Sequence, residues 1–279
     1  MAFQGTIKRS SQKRVPPVDF YLRVIRRDWT KPELLQALAL YYQVPFGSID
    51  KRNPAIVALA LELGRTPGAV GLKLANFASL DPTIIDSGRR GMPNASAADR
   101  RIFIEHRDNW STLAEQLSAD VIAAFVRKRR APVPASGAVT IEFATEAIAT
   151  VTVRRGQQFF RDAVLAAYRE RCCITGLKVR ELLRASHIVP WSIDAAKRVD
   201  PTNGLCLNAL HDAAFDRGLL TLDTDNRLVL SNSLRSATQA DEFATWFRPY
   251  EGHAIALPDR LPPSVDALAY HRERIFVDR

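Results

Sequence analysis

The residues of this chain that could carry out hydrolysis lie between residues 181 and 218. In the stretch ELLRASHIVPWSIDAAKRVDPTNGLCLNALHDAAFDRG, His187 follows an apolar run, Asn203 ends a polar loop, and His211 begins a helix-like segment. A neutral imidazole near physiological pH can accept a proton from water. A second imidazole can bind a cation that stabilises a phosphate under attack. These residue types therefore fit metal-assisted hydrolysis of a phosphodiester.

Secondary-structure signals around these residues predict the order strand, loop, strand, helix. The segment LLRASHIV is typical of a strand that ends in the polar pair Ser186 and His187, and a turn follows at Pro190. LCL is a short predicted strand, and NALHDAAFDRG is a short predicted helix that ends at Gly218. A helix that faces a hairpin in this way can bring a second imidazole to a metal about one turn from its start.

Taken singly, these residues also have ordinary structural explanations. His187 beside a strand fits a hydrogen-bonded structural histidine, and Asn203 with Gly204 fits a turn. His211 fits a surface position on a helix. Residue types alone leave both interpretations open.

The same segment resembles the HNH endonuclease family, also called ββα-metal or His-Me finger. The resemblance is to the subgroup with the motifs S-H-I-x-P-W, N-G-L and H-x-x-x-F-D-x-G, which this sequence carries in that order. The strings G-Q-x-x-F-R at 156–161 and R-C-x-I-T-G at 171–176 are similar to the subgroup as well. The resemblance covers roughly residues 150–230 and implies an α+β nuclease domain.

The resemblance implies a role for each motif residue. His187 takes the position of the general base, Asn203 pins the loop that carries it, and His211 is a metal ligand. The implied cofactor is one Mg²⁺ or Mn²⁺ ion per site, and the implied products are a 5′-phosphate and a 3′-hydroxyl. The chain has three cysteines and no C-x-x-C pair, so we expect no structural zinc.

Two positions depart from the pattern found in many HNH proteins. Ser186 stands where an Asp or His often binds the metal, and Phe215 stands where a second helical histidine is common. We therefore expect few protein ligands and many waters around the ion, as Mg²⁺ tolerates. Asp212 or Asp216 could complete the shell, and we include Asp216 as a predicted metal ligand.

The charge of the chain points to a polyanionic partner. The formal net charge is +9, and phosphate contacts dominate the affinity of proteins for DNA. Residues 54–80 have the spacing of a helix-turn-helix, whose second helix enters the major groove. We expect double-stranded DNA as the partner, with candidate contacts at Arg65, Lys73, Asn76, Arg89, Arg90 and Arg161.

The predicted fold is α+β overall. A flexible basic tail (1–17) precedes an all-helical, helix-turn-helix-like DNA-recognition domain (18–126), a linker (127–137) and the HNH domain (138–279). Capping signals predict helix starts near Thr30, Asn53, Thr66 and Ser96. VTIEF and ATVTV are predicted strands, and LLTLD and RLVLS form a predicted hairpin.

Three functions fit these expectations. The first is a DNA endonuclease in restriction or antiphage defence, with a homodimer as a plausible state because palindromic sites mirror two-fold symmetry. The second is a nonspecific effector nuclease gated by a ligand or partner. The third is a DNA-binding regulator with a catalytically dead nuclease fold, an interpretation favoured by Ser186 and Phe215. With no signal peptide and no membrane span in the sequence, we expect a cytoplasmic protein.

Overall fold

Helices make up the N-terminal part of the protein. The structure, a computed structural model, describes residues 27–117, 140–237 and 245–278. The first five helices are α1 (Lys31–Gln43), α2 (Pro54–Leu63), α3 (Pro67–Ala78), α4 (Pro82–Asp86) and α5 (Ala97–His106), and residues 110–117 are also helical. This part of the chain is all-helical, as predicted. The predicted tail (1–17) and linker (127–137) lie outside the described residues.

The helix starts confirm the capping signals in the sequence. The backbone N–H of Thr30 donates to the Glu33 carboxylate at 2.9 Å, and Asn53 accepts from the N–H of Ala55. Each of these polar side chains satisfies donors that the first helical turn leaves unpaired. Gly64, with φ of +61°, ends α2 in the left-handed region.

A single long helix, α6 (Thr140–Ala167), replaces the two predicted strands VTIEF and ATVTV. That prediction is wrong because it rested on β-branched residues, whose strand preference depends on context. Between residues 140 and 155 there is no Gly, Pro or Asn that would separate two strands. One uninterrupted helix is therefore available to this stretch.

Helix α6 contributes to two hydrophobic cores. Phe159 and Ala163 pack in the core of the N-terminal helices, whereas Phe160 and Val164 pack in the core around the C-terminal strands. Pairs of residues four apart lie on one face of a helix, so the two pairs define two adjacent faces. The same helix thereby joins the two cores.

The C-terminal part has the predicted order of strand, loop, strand and helix. Strands β1 (Leu183–His187) and β2 (Gly204–Asn208) pair antiparallel, with His187 opposite Gly204, and α7 (Ala209–Asp216) follows directly. The predicted hairpin is also confirmed, as β3 (Leu220–Leu222) paired with β4 (Leu228–Leu230). Two more helices, α8 (Asn232–Ala237) and α9 (Val265–Arg274), follow the hairpin.

Helices α2 and α3 meet at 110°, within the range of about 90–120° that helix-turn-helix units show. The outward positions of α3 include Gly68 and Leu72, which is 45% exposed, and neither offers a polar group to DNA.

Among the described helices, none is by itself long and apolar enough to cross a membrane. Only the bent pair of α2 and α3 reaches that length and composition together.

Three predicted DNA contacts are instead interior residues. Arg65 bonds to the Glu33 carboxylate at 2.9 Å, and Lys73 bonds to Asp99, which is fully buried, at 2.8 Å. The ring of Trp29 lies 4.1 Å from the Arg65 guanidinium and 5.0 Å from the Lys73 ammonium.

The third of these residues, Asn76, is 5% exposed, and its amide donates to the carbonyl of Asn94. Burial of Arg65, Lys73 and Asn76 therefore does not favour the prediction that these side chains contact DNA. Their polar groups hold the helical part together, because buried polar groups require partners.

We predict that Lys73→Ala lowers the free energy of unfolding by about 3–5 kcal/mol, because it leaves the buried Asp99 carboxylate without its cation. Urea denaturation monitored by circular dichroism measures the change. Lys51→Ala, at an exposed lysine, is the matched control and should leave stability nearly unchanged. A loss below about 1 kcal/mol for Lys73→Ala would mean that the pair behaves as a surface salt bridge.

Candidate active site

The C-terminal part contains a pocket of about 450 Å³ beside the end of β1. Its walls come from β1, from Pro190 and Trp191 in the following loop, and from helices α7 and α9. The polar groups that line it include Arg184, Ser186, His187, Asp212 and Asp216. Two carboxylates, a hydroxyl and an imidazole thus converge on one cavity.

His187 is held in a fixed orientation on this wall. Its ring stacks on Phe160 with the centroids 3.8 Å apart and the planes at 9°, and it meets the edge of Trp191 at 5.6 Å. The Nε2 atom lies 3.0 Å from the carbonyl oxygen of Arg198. Because a carbonyl only accepts, Nε2 carries the proton, and Nδ1 of the neutral ring is left as an acceptor.

The surroundings of His187 favour the neutral imidazole. Burial lowers the pKa of His187 below its usual value of 6.5, while the hydrogen bond to the Arg198 carbonyl and the charge of Asp212 oppose this shift more weakly. A ring that is unprotonated near neutral pH can act as a base.

Asn203 ties together the loop between β1 and β2. Its side chain is buried, its Oδ1 accepts from the Val189 N–H at 2.8 Å, and its Nδ2 donates to the carbonyls of Val189 and Lys197. The Asn203 carbonyl also accepts from the N–H of Ile188. These are the hydrogen bonds expected of a residue that pins the loop next to the base.

His211 does not face the pocket, in contrast to its predicted role as a metal ligand. The ring is fully buried and packs against Phe247 and Tyr250, with centroids 5.0 and 5.9 Å away. Its Nδ1 lies 2.8 Å from Nδ2 of Asn208, the residue that caps α7. Burial lowers the pKa of His211 to about 4. His211 is thus a core residue in this structure, a position that does not favour its predicted role as a metal ligand.

Asp212 and Asp216 are the residues of α7 that line the pocket. They are four positions apart, so they share one face of the helix, whereas His211 and Asp216 are five apart and do not. Burial raises the pKa of Asp212, and partial burial together with the charge of Asp212 raises the pKa of Asp216. The two carboxylates repel each other, and a cation between them would relieve that repulsion.

The donor set fits a hard divalent cation that keeps part of its water shell. Ser186 is 2% exposed, and its hydroxyl lies close enough to Asp212 and Asp216 to hydrogen bond with their carboxylates, which partly offsets the rise in their pKa values. Carboxylate and hydroxyl oxygens suit Mg²⁺, which takes few protein ligands. Within the described parts of the chain, no three His, Cys, Asp or Glu side chains are grouped closely enough to hold a metal. The remaining ligands would therefore be water and substrate.

The remaining predicted DNA contacts lie outside this pocket. Arg161 donates to the carbonyl of Leu183 at 3.0 Å and so braces the start of β1. Arg89 pairs with Asp259 at 3.0 Å, and the neighbouring Arg90 is exposed. Arg184, which the sequence analysis missed, is the arginine that lines the pocket. Its position two residues before Ser186 on β1 was the available signal, because such residues share a face of a strand.

His271 is a second pocket residue that the sequence did not point to. Its Nε2 donates to the carbonyl of Phe215 at 3.1 Å, its Nδ1 accepts from the Thr221 hydroxyl at 2.9 Å, and its ring stacks on Phe215 at 3.7 Å. It lies at the back of the pocket and fixes the end of α7 next to Asp216. No motif in the sequence connects α9 to this site.

We predict that stability falls as the pH decreases from 6.5 to about 4. Burial lowers the pKa of both His211 and His271 from 6.5 to about 4, so in this window the unfolded chain binds protons that the folded chain does not. The free energy of unfolding should drop by roughly 3 kcal/mol for each histidine. His271→Gln should flatten this dependence in urea titrations, and the exposed His253→Gln should not. If the free energy of unfolding depends on pH equally in both variants, the predicted contribution of His271 is wrong.

The ββα unit of this site matches a known family. A family model described as HNH endonuclease, HNH_2, matches residues 172–223, which span β1, β2, α7 and β3. No curated protein matches the chain. In this segment the chain is similar to HNH endonucleases, which indicates a nuclease that acts on nucleic acid.

Proposed function

We propose that this protein is a divalent-metal-dependent endonuclease that hydrolyses phosphodiester bonds in DNA, with His187 as the general base. The observation that carries the proposal is the hydrogen bond from Nε2 of His187 to the Arg198 carbonyl. That bond leaves Nδ1 as the acceptor in a pocket that also contains Asp212 and Asp216. The similarity of residues 172–223 to HNH endonucleases supports the same conclusion.

Different residues of the pocket would bind the metal ion and transfer the proton. Asp212, Asp216 and Ser186 would hold the divalent ion, which when bound supplies positive charge to the phosphate and the leaving oxygen. Nδ1 of His187 takes the proton from the attacking water. The imidazolium that forms is stabilised by the Arg198 carbonyl and by the charge of Asp212, both of which raise the pKa of His187.

Arg184 is proposed to contact the phosphate next to the scissile bond. It is exposed, lines the pocket, and uses one guanidinium nitrogen to donate to the carbonyls of Glu181 and Leu183. Its other nitrogens remain for a phosphate, which planar guanidinium groups bind in a bidentate manner. The charge of Arg184 also helps to keep Asp212 ionised, since it lowers the pKa of that carboxyl.

The departure from the HNH pattern at Phe215 gives little support to a catalytically dead regulator. Phe215 is 1% exposed and stacks on His271, so this position faces the core and would not bind a metal. Asp212 and Asp216 instead supply the helical oxygens. We retain restriction or antiphage defence as the proposed role, with paired copies needed for double-strand cleavage if each pocket cuts one strand.

We predict that His187→Ala lowers the rate of plasmid cleavage in Mg²⁺ or Mn²⁺ by about 10²–10⁴-fold, the range typical of a lost general base. Agarose gels of supercoiled, nicked and linear forms give the rate, with EDTA as a blank. His253→Ala, which changes an exposed histidine away from the pocket, should cut like the wild type. Equal activity of His187→Ala and wild type would exclude His187 as the base.

A metal titration tests whether Asp212 or His211 binds the metal ion. Asp212→Asn should raise the Mg²⁺ concentration for half-maximal cleavage by roughly tenfold or more, because it removes one of two carboxylates. His211→Asn should leave that concentration unchanged, even where it lowers the amount of folded protein, because its ring faces Phe247. If His211→Asn, and not Asp212→Asn, raises the required Mg²⁺ concentration, then His211 is the metal ligand.

A further inference from the structure

A second cleft, with a volume of about 1050 Å³, shares no lining residue with the candidate active site. It lies where the loop of residues 45–48 and Arg89 from the helical part meet residues 167–178 and 256–259 of the C-terminal part. Its volume is slightly above the range of about 300–1000 Å³ for ligand sites. The cleft therefore has room for a ligand of nucleotide size.

Positive charge dominates the lining. Four cations line the cleft, Arg89, Arg169, Arg171 and Lys178, against two acids, Glu170 and Asp259. Asp259 pairs with Arg89 at 3.0 Å and with Arg169 at 2.5 Å, and Glu170 pairs with Arg180. Arg171 and Lys178 are exposed and have no acidic partner among the described residues. Two cations are thus available to an anion from solution.

The backbone that presents these residues is strained. Just beyond the end of helix α6, Arg169 and Glu170 both have φ of +54°. Non-glycine residues are disfavoured in the left-handed region, so two in succession need support from their surroundings. Such strain is concentrated at ligand sites. Here the Arg169 side chain is fixed by both oxygens of Asp259.

An aromatic face lies beside the charges. Phe46 lines the cleft, and the guanidinium of Arg89 lies 5.4 Å from the centre of its ring. Planar nucleobases stack on aromatic rings and on guanidinium groups. The aromatic ring of Phe46 can stack on the base of a nucleotide, and the exposed cations Arg171 and Lys178 can bind its phosphates.

We propose that this cleft binds a nucleotide, with its phosphates at Arg171 and Lys178 and its base against Phe46 and Arg89. The nucleotide can be free or part of a DNA strand, since both present the same chemistry. Asp259 competes with the phosphates for Arg89 and Arg169, and these arginines hold its pKa below the usual value, so it is ionised at neutral pH. The proposal is independent of phosphodiester hydrolysis at His187.

Direct binding to the full-length chain tests the proposal. Isothermal titration with ATP, and fluorescence anisotropy with a short labelled duplex, are measured in EDTA so that no cleavage occurs. Arg171→Ala/Lys178→Ala should weaken binding by at least about tenfold, the equivalent of one charge-assisted contact. Arg100→Ala/Arg101→Ala removes the same charge from exposed residues of α5 and should change affinity by less than about twofold.

A further variant is expected to increase the affinity for the ligand instead of lowering it. Asp259→Asn should tighten binding several-fold, because it releases Arg89 and Arg169 for the ligand. ATP binding that is lost in Arg171→Ala/Lys178→Ala identifies a free nucleotide as the ligand, whereas loss of duplex binding alone identifies the DNA strand. No saturable binding of either probe, or equal losses in the two double variants, would overturn the proposal. Cleavage activity does not enter these readouts, so failure here leaves the proposed function untouched.

Discussion

The close packing of helix α6 on strand β2 determines where the base lies. A side chain at Gly204 would come within 2.4 Å of Val164 and 3.0 Å of Phe160, so only glycine allows this approach. Because Gly204 is paired with His187, the same approach places Phe160 in face-to-face contact with the imidazole at 3.8 Å. A glycine that the sequence suggests is part of a turn is in fact the contact point between a helix and a strand.

This contact also connects the two cores of the protein. Phe159, the neighbour of Phe160, packs among the N-terminal helices, and Arg260 from the C-terminal part is buried there, where it donates to the carbonyls of Tyr41 and Val44. The carbonyls at the end of α1 lack partners within their own helix, and a buried guanidinium supplies the missing donors. Helix α6 is therefore in contact with both the N-terminal helices and His187.

The sequence was most informative where a residue pattern determines local structure. Polar caps at Thr30 and Asn53 and the ββα order follow from short-range rules, whereas the loop-pinning role of Asn203 is implied only by the family resemblance. It was least informative about which face of an element is buried. The long helix α6 was missed because β-branched residues outweighed the absence of turn residues. Lys73 was interpreted as a DNA contact because a basic residue on a predicted helix gives no sign of a partner such as Asp99, twenty-six positions away.

The same limit explains why the sequence did not indicate that Asp212, and not His211, lines the pocket. A motif fixes the order of residues, but the rotation of α7 is set by contacts at its two ends. Asn208 caps the first turn and bonds to the His211 ring, while His271 bonds to the carbonyl at Phe215 near the last turn. His211 and Phe215, four positions apart, thus form one buried face of α7, and the adjacent face carries Asp212 and Asp216 into the pocket with His187. The two buried histidines thus act as supports for the carboxylates.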